Sequence, residues 1–103
     1  MPVVDTPTQA PSDDLDEVGR ILMKAADIVD VRWQQFGYGE LGGPRCARGA
    51  ILESADAGPN LSYAIDRLTK FLCMPIIYYN DTPGRKAAEV SAAMRAAARM
   101  AND

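Results

Sequence analysis

Cys46, Gln35 and Asn80 are the residues of this chain whose types could build covalent chemistry. They would serve as a thiol nucleophile, an amide donor for an oxyanion and an amide that orients a base. The base itself is missing. The chain contains no histidine, which removes imidazole acid–base catalysis, the Ser–His and Cys–His pairs and His-ligated metals. Cys46 is expected in the first turn of a helix, where the dipole lowers a thiol pKa. A small buried thiol packed against a neighbouring helix explains it better. Two cysteines, Cys46 and Cys73, are too few for a thiolate-only zinc site and are read as reduced thiols. No catalytic residue, metal ligand or cofactor is assigned.

Two further groups bear on binding. Asn80 and Asp81 precede Pro83-Gly84, a setting in which Asx side chains form turns and cap helices. With Gln35 and Arg85 they also make a polar set suited to a small ligand or a nucleotide, since arginine pairs with phosphate or carboxylate. Trp33, Phe36, Tyr38, Tyr78 and Tyr79 hold most of the aromatic surface, in two irregular segments expected to be neighbours. Core filling accounts for Trp33 and one tyrosine of the pair. The exposed remainder would be a partner-binding patch, because aromatic side chains are favoured interface anchors. Arg85, Lys86, Arg95 and Arg99 read as a solvated face of the last helix.

Those residues must be positioned by a small scaffold. The chain has 103 residues, 48% hydrophobic and 24% charged, with a net charge of -3. Its mean hydropathy is -0.16 and its pI near 4.8. This is a globular balance for one domain, which hides roughly 65% of its unfolded surface. The acidity disfavours nucleic acid as a partner, because phosphate binding calls for a basic face. No run reaches the ~18 apolar residues of a membrane span. Met1–Pro7 has neither the basic start nor the apolar stretch of a secretory signal, so a cytoplasmic protein is expected.

Residues 1–12, with Pro2, Pro7 and Pro11, read as a flexible arm, and residues 13–103 as one helical domain. A first helix is predicted from about Asp14 to Asp30, its core stripe being Leu15, Val18, Leu22, Ala25 and Val29. Asp16 and Arg20 are spaced as a supporting ion pair. Residues 31–36 read as extended and run into a glycine-rich loop. A second helix is predicted from Arg45 to Ala57, and a third after an Asn60 cap, with Leu61, Ala64, Ile65, Leu68 and Leu72 inward. Ile76–Tyr79 has strand composition. The last helix is predicted from about Pro83 to Met100, with Ala87, Val90, Met94, Ala97 and Ala101 inward. The fold expected is mainly α, a compact four-helix domain, with room for a minimal two-stranded pairing of residues 31–36 with 76–79.

Three segments carry a resemblance: Trp33-Gln34-Gln35, Cys46-Ala47-Arg48-Gly49-Ala50-Ile51, and Asn80-Asp81-Thr82-Pro83-Gly84-Arg85 with Glu89-Val90. Together they resemble an uncharacterised family of short actinobacterial and actinobacteriophage proteins with W-x-Q, C-A-x-G-A-[IL] and N-D-x-P-G-R elements. Two positions depart from that pattern. Phe36 stands where the family has glycine, and Lys86 where it has a threonine that caps the last helix, so that helix would have to start from Asp81 or Thr82. The resemblance implies a phage or actinobacterial origin and no mechanism. The expected function is that of a small non-enzymatic accessory or regulatory protein that binds a host or self protein, and a homodimer is compatible with it. The other reading is a ligand-binding module around Gln35, Asn80, Asp81 and Arg85.

Overall fold

The structure is a computed structural model that describes residues 15–37, 39–55 and 58–100. Those residues form five helices, four of them substantial: α1 (Glu17–Arg32), α2 (Ala47–Ser54), α3 (Pro59–Leu72), the short α4 (Ile76–Asn80) and α5 (Ala87–Ala98). The mainly α expectation holds. The proposed arm, residues 1–12, lies outside the described residues, as do Tyr38 and Ala101.

α1 is the central element. Its expected stripe of Leu15, Val18, Leu22, Ala25 and Val29 is buried throughout and joined by Ile51, Ala64, Leu68, Val90 and Met94 in one core. α5 lies along α1 through Ala93, Ala97 and Ala98. Alanine leaves so little side chain between the two helices that Gly19 faces the Ala98 carbonyl. A Cβ at Gly19 would sit 2.6 Å from that oxygen. Arg95 of α5 reaches Asp27 at 2.9 Å and Asp30 at 2.6 Å on α1. It is therefore tied to α1 rather than lying free on a solvated face.

A second tie joins three helices. Asp16 is the N-cap of α1, its carboxylate accepting from Gly19 N at 2.7 Å. The same carboxylate accepts two bonds from the buried Arg67 of α3, at 3.0 and 2.6 Å. Arg67 also donates to the Ala98 carbonyl at the end of α5. The predicted Asp16–Arg20 pair does not form, because Asp16 is taken by the cap and by Arg67. Arg20 pairs instead with Glu17 at 3.0 Å.

The glycine-rich loop is held by charge. Arg32 bonds both carboxylate oxygens of Glu53 at 3.2 and 2.6 Å and the Gly43 carbonyl at 2.6 Å. Gly42 N donates to Glu53 as well. The loop folds so tightly that a Cβ at Gly39 (φ +78°) would overlap the Pro44 carbonyl.

Several sequence expectations are corrected. Residues 31–36 do not pair with 76–79. Trp33 instead makes an isolated parallel bridge with Arg45, through Gln34 N to Arg45 O and Arg45 N to Arg32 O. Ile76–Tyr79 is helical despite its β-branched composition: after Pro75, Tyr79 N donates to Pro75 O and Asp81 N to Ile77 O. Those bonds use the donors a strand would need, and tertiary context overrides local propensity. α2 begins after Cys46 and is shorter than expected, and Pro59 rather than Asn60 opens α3. α5 begins at Ala87, since Gly84 (φ +83°) turns the chain first. Glu89 accepts from Lys86 N at 2.9 Å, the half of a capping box that remains when the N-cap residue is a lysine, whose ammonium has no lone pair to accept a helix N–H.

The Asp16–Arg67 tie yields a pH prediction. The Arg67 hydrogen bonds, aided by that from Gly19 N, hold the Asp16 carboxyl below its ordinary 3.8 against the opposing effect of burial. Its stabilisation is therefore fully present above pH 3.8 and is lost as pH falls through the lower folded-state value. Asp16→Asn should flatten the acid limb of stability against pH. At neutral pH it should cost about 3 kcal/mol, the low end for stranding a buried cation, because the carboxylate is half exposed. Urea titrations across that range check both, and an unchanged acid limb would contradict the assignment.

Candidate functional site

The three segments singled out in the sequence meet at one side chain. Asn80, the last residue of α4, is fully buried. Its Oδ1 accepts from Trp33 Nε1 at 2.6 Å and from Ala47 N at 2.9 Å. Its Nδ2 donates to Gln34 O at 3.1 Å and to Asp81 Oδ1 at 2.9 Å. A primary amide has two donors and a two-lone-pair acceptor, so all four capacities are met. The exit of α1, the start of α2 and the end of α4 are pinned to one another at this point.

The neighbours extend the clasp. Gln35 Nε2 donates to the carbonyls of Asn80 and Thr82 at 3.1 and 3.0 Å. Asp81 accepts from Phe36 N at 2.9 Å. Arg85 Nε donates to Tyr79 O at 2.9 Å, its guanidinium lies 3.7 Å from the Tyr79 ring centroid, and Glu89 is 3.6 Å away. Cys46 is buried and stands just before the first turn of α2, as its N-cap, with Sγ accepting from Gly49 N at 3.3 Å.

The predicted polar set of Gln35, Asn80, Asp81 and Arg85 is thus brought together, and its members bond to the protein itself. A pocket of about 80 Å³ remains beside it, lined by Gly37, Cys46, Ile77, Asn80 and Asp81. That is well short of the roughly 300 Å³ at which small-molecule sites begin. Among the described residues no three acidic or cysteine side chains gather as metal ligands.

Among the described residues of the aromatic set, Tyr38 lying outside them, the division is the one core filling expects. Trp33 and Tyr79 are partly buried against the core. Phe36 and Tyr78 are 75% and 70% exposed, and Ile77, next to Tyr78 in sequence, is partly exposed. Phe36 is further distinguished by φ +61°. This is the left-handed region, in which glycine rests and a bulky side chain is strained by about 1–2 kcal/mol. That strained backbone is the feature the sequence could only hint at, through the glycine expected in its place.

A family model matches residues 13–100, a span that takes in the clasp and all five helices. The chain belongs to DUF6197, a family of unknown function. No curated protein and no solved structure matches it significantly. Membership in DUF6197 therefore brings no activity, and no described helix is long and apolar enough to cross a membrane.

Trp33 is the sole tryptophan, so its fluorescence reports the clasp. Asn80→Ala, which leaves the buried Ala47 N–H and the indole N–H unmet, should cost about 3 kcal/mol in urea unfolding. Asn80→Asp should cost at least as much, by setting a carboxylate against Asp81 and the Gln34 carbonyl. Losses under about 1 kcal/mol would contradict a structural role for this amide.

Proposed function

We propose that this chain is a small accessory or regulatory protein that works by binding a second protein, host or self, rather than by catalysis. The observation that carries the reading is Phe36. It is an exposed aromatic held in a glycine-type backbone conformation by the Asp81 carboxylate. Strain of this kind persists where the surroundings enforce it and collects at functional positions. Tyr78 and Ile77, on the helix that ends in the clasp, add further exposed apolar surface. Rigid aromatic side chains lose little entropy on docking and are frequent interface anchors.

The chemistry points the same way. The chain lacks histidine, and among the described residues its one buried thiol caps a helix. The ligand-binding alternative is less well supported, since its four residues are engaged with one another and with the backbone. The resemblance to actinobacteriophage proteins favours a phage-encoded origin, with action in the host cytoplasm on a host protein or on a second copy of the chain.

Phe36→Gly separates stability from binding. Relief of the left-handed strain, offset by the added freedom of the unfolded chain, should raise stability by about 1 kcal/mol. The same change should abolish recovery of the partner in affinity purification from the native host. Tyr78→Ser should weaken recovery with an unchanged melting temperature. Partner recovery by Phe36→Gly equal to that of the wild type would refute the reading.

A further inference from the structure

The outward face of α3 takes no part in the clasp. Ala64, Arg67 and Leu68 are the buried side of this helix. On the side away from them Tyr63, Asp66 and Lys70 recur at spacings of three and four, and all are exposed. Phe71 in the last turn and Met74 just beyond it add exposed apolar surface at the C-terminal end.

Asp66 precedes Lys70 by four residues, the order and spacing at which a helix forms an ion pair on its own surface. Glu17 with Arg20 and Arg85 with Glu89 pair within their helices in this way. Asp66 and Lys70 do not: neither side chain has an ion pair or hydrogen bond among the described residues. An acid and a base thus stand unpaired in the middle of a strip, with Tyr63 at one end and Phe71 and Met74 at the other.

That strip is complementary to itself. Two copies of α3 laid antiparallel, with a two-fold axis at the height of Leu68, set Asp66 of each against Lys70 of the other. The same axis brings Tyr63 of each copy between Phe71 and Met74 of the other. A parallel pairing would set Asp66 beside Asp66 and Lys70 beside Lys70, and such like-charge contacts are unfavourable. The charges therefore select a second copy and its direction. The apolar ends supply most of the contact energy, because exposed ion pairs contribute little.

We propose that α3 is the interface of an isologous homodimer of this chain, with Asp66 paired to Lys70 of the second copy on both sides of the axis. A helix of 14 residues is about 21 Å long. The buried surface is then at the low end for specific complexes, and the dissociation constant is on the order of 100 μM. The face includes neither Phe36 nor Tyr78, so the dimer stands or falls independently of the binding surface proposed above.

Sedimentation equilibrium of the full-length protein from about 10 μM to about 1 mM tests this. Reductant is present throughout, so that no disulfide through the exposed Cys73 contributes. The wild type should pass from monomer to dimer over that range. Asp66→Lys and Lys70→Asp should each weaken self-association by about tenfold or more, with unchanged melting temperatures in dilute solution. An equimolar mixture of the two variants should dimerise at least as tightly as the wild type, because every charge then meets its opposite. Phe36→Gly should dimerise as the wild type does. Four results overturn the proposal: a wild type still monomeric at the highest concentration, a dimer that neither reversal weakens, a mixture that does not regain dimerisation, or a dimer lost in Phe36→Gly.

Discussion

A primary amide with no access to water must have every donor and acceptor satisfied by the protein, or the fold is destabilised by the shortfall. Asn80 meets that condition with partners drawn from three places: the indole and backbone that leave α1, the first amide of α2, and the next residue of its own chain. Apolar burial alone does not set where those pieces sit, since it has no direction. The amide does. Its geometry fixes the approach of Trp33, places Cys46 at the start of α2 and turns the chain toward Arg85 and α5. The extended segment after α1 pairs with Arg45 rather than with residues 76–79, because 76–80 must be coiled for Asn80 to enter the core.

The surface consequences follow from the same constraint. Asp81 is held beside Asn80 and in turn holds Phe36 N. The ring of Phe36 is thereby presented to solvent on a backbone that does not favour it. A protein optimised for stability alone would place glycine there. The proposed partner contact would account for an exposed aromatic kept there at a cost in stability. Away from the clasp, the Asp16–Arg67 tie and the Arg95 bridges hold α3 and α5 to α1 without drawing on the same residues.

The helical stripes were legible because periodicity is local: Leu15 through Val29 and Val90 through Ala97 face inward as their spacing requires. The clasp was legible only as a set of residue types. Asn80 before Pro83-Gly84 reads as a turn residue, and its partners Trp33, Ala47 and Gln34 lie 47, 33 and 46 residues away. No local rule joins them. Ile76–Tyr79 misleads for a related reason: β-branched and aromatic residues signal strand, whereas Pro75 and the demand at Asn80 impose one turn of helix. The start of α5 could have been placed better, since Glu89 sits three residues after Lys86 and reaches back to its amide. Phe36 is the reverse case. Its exposure was expected only because core filling accounts for Trp33 and one tyrosine, and nothing in its own type suggested a positive φ.

Hydrogen exchange at the Trp33 indole Nε1–H measures the clasp most directly, because that proton lies in the 2.6 Å bond to Asn80. If the amide fastens the three segments into one cooperative unit, the indole proton should exchange only on global unfolding, with the same opening free energy as the slowest backbone amides of α1. Exchange at the rate of a solvent-exposed indole, while those α1 amides stay protected, would show that the bond opens freely and that the fold does not depend on it.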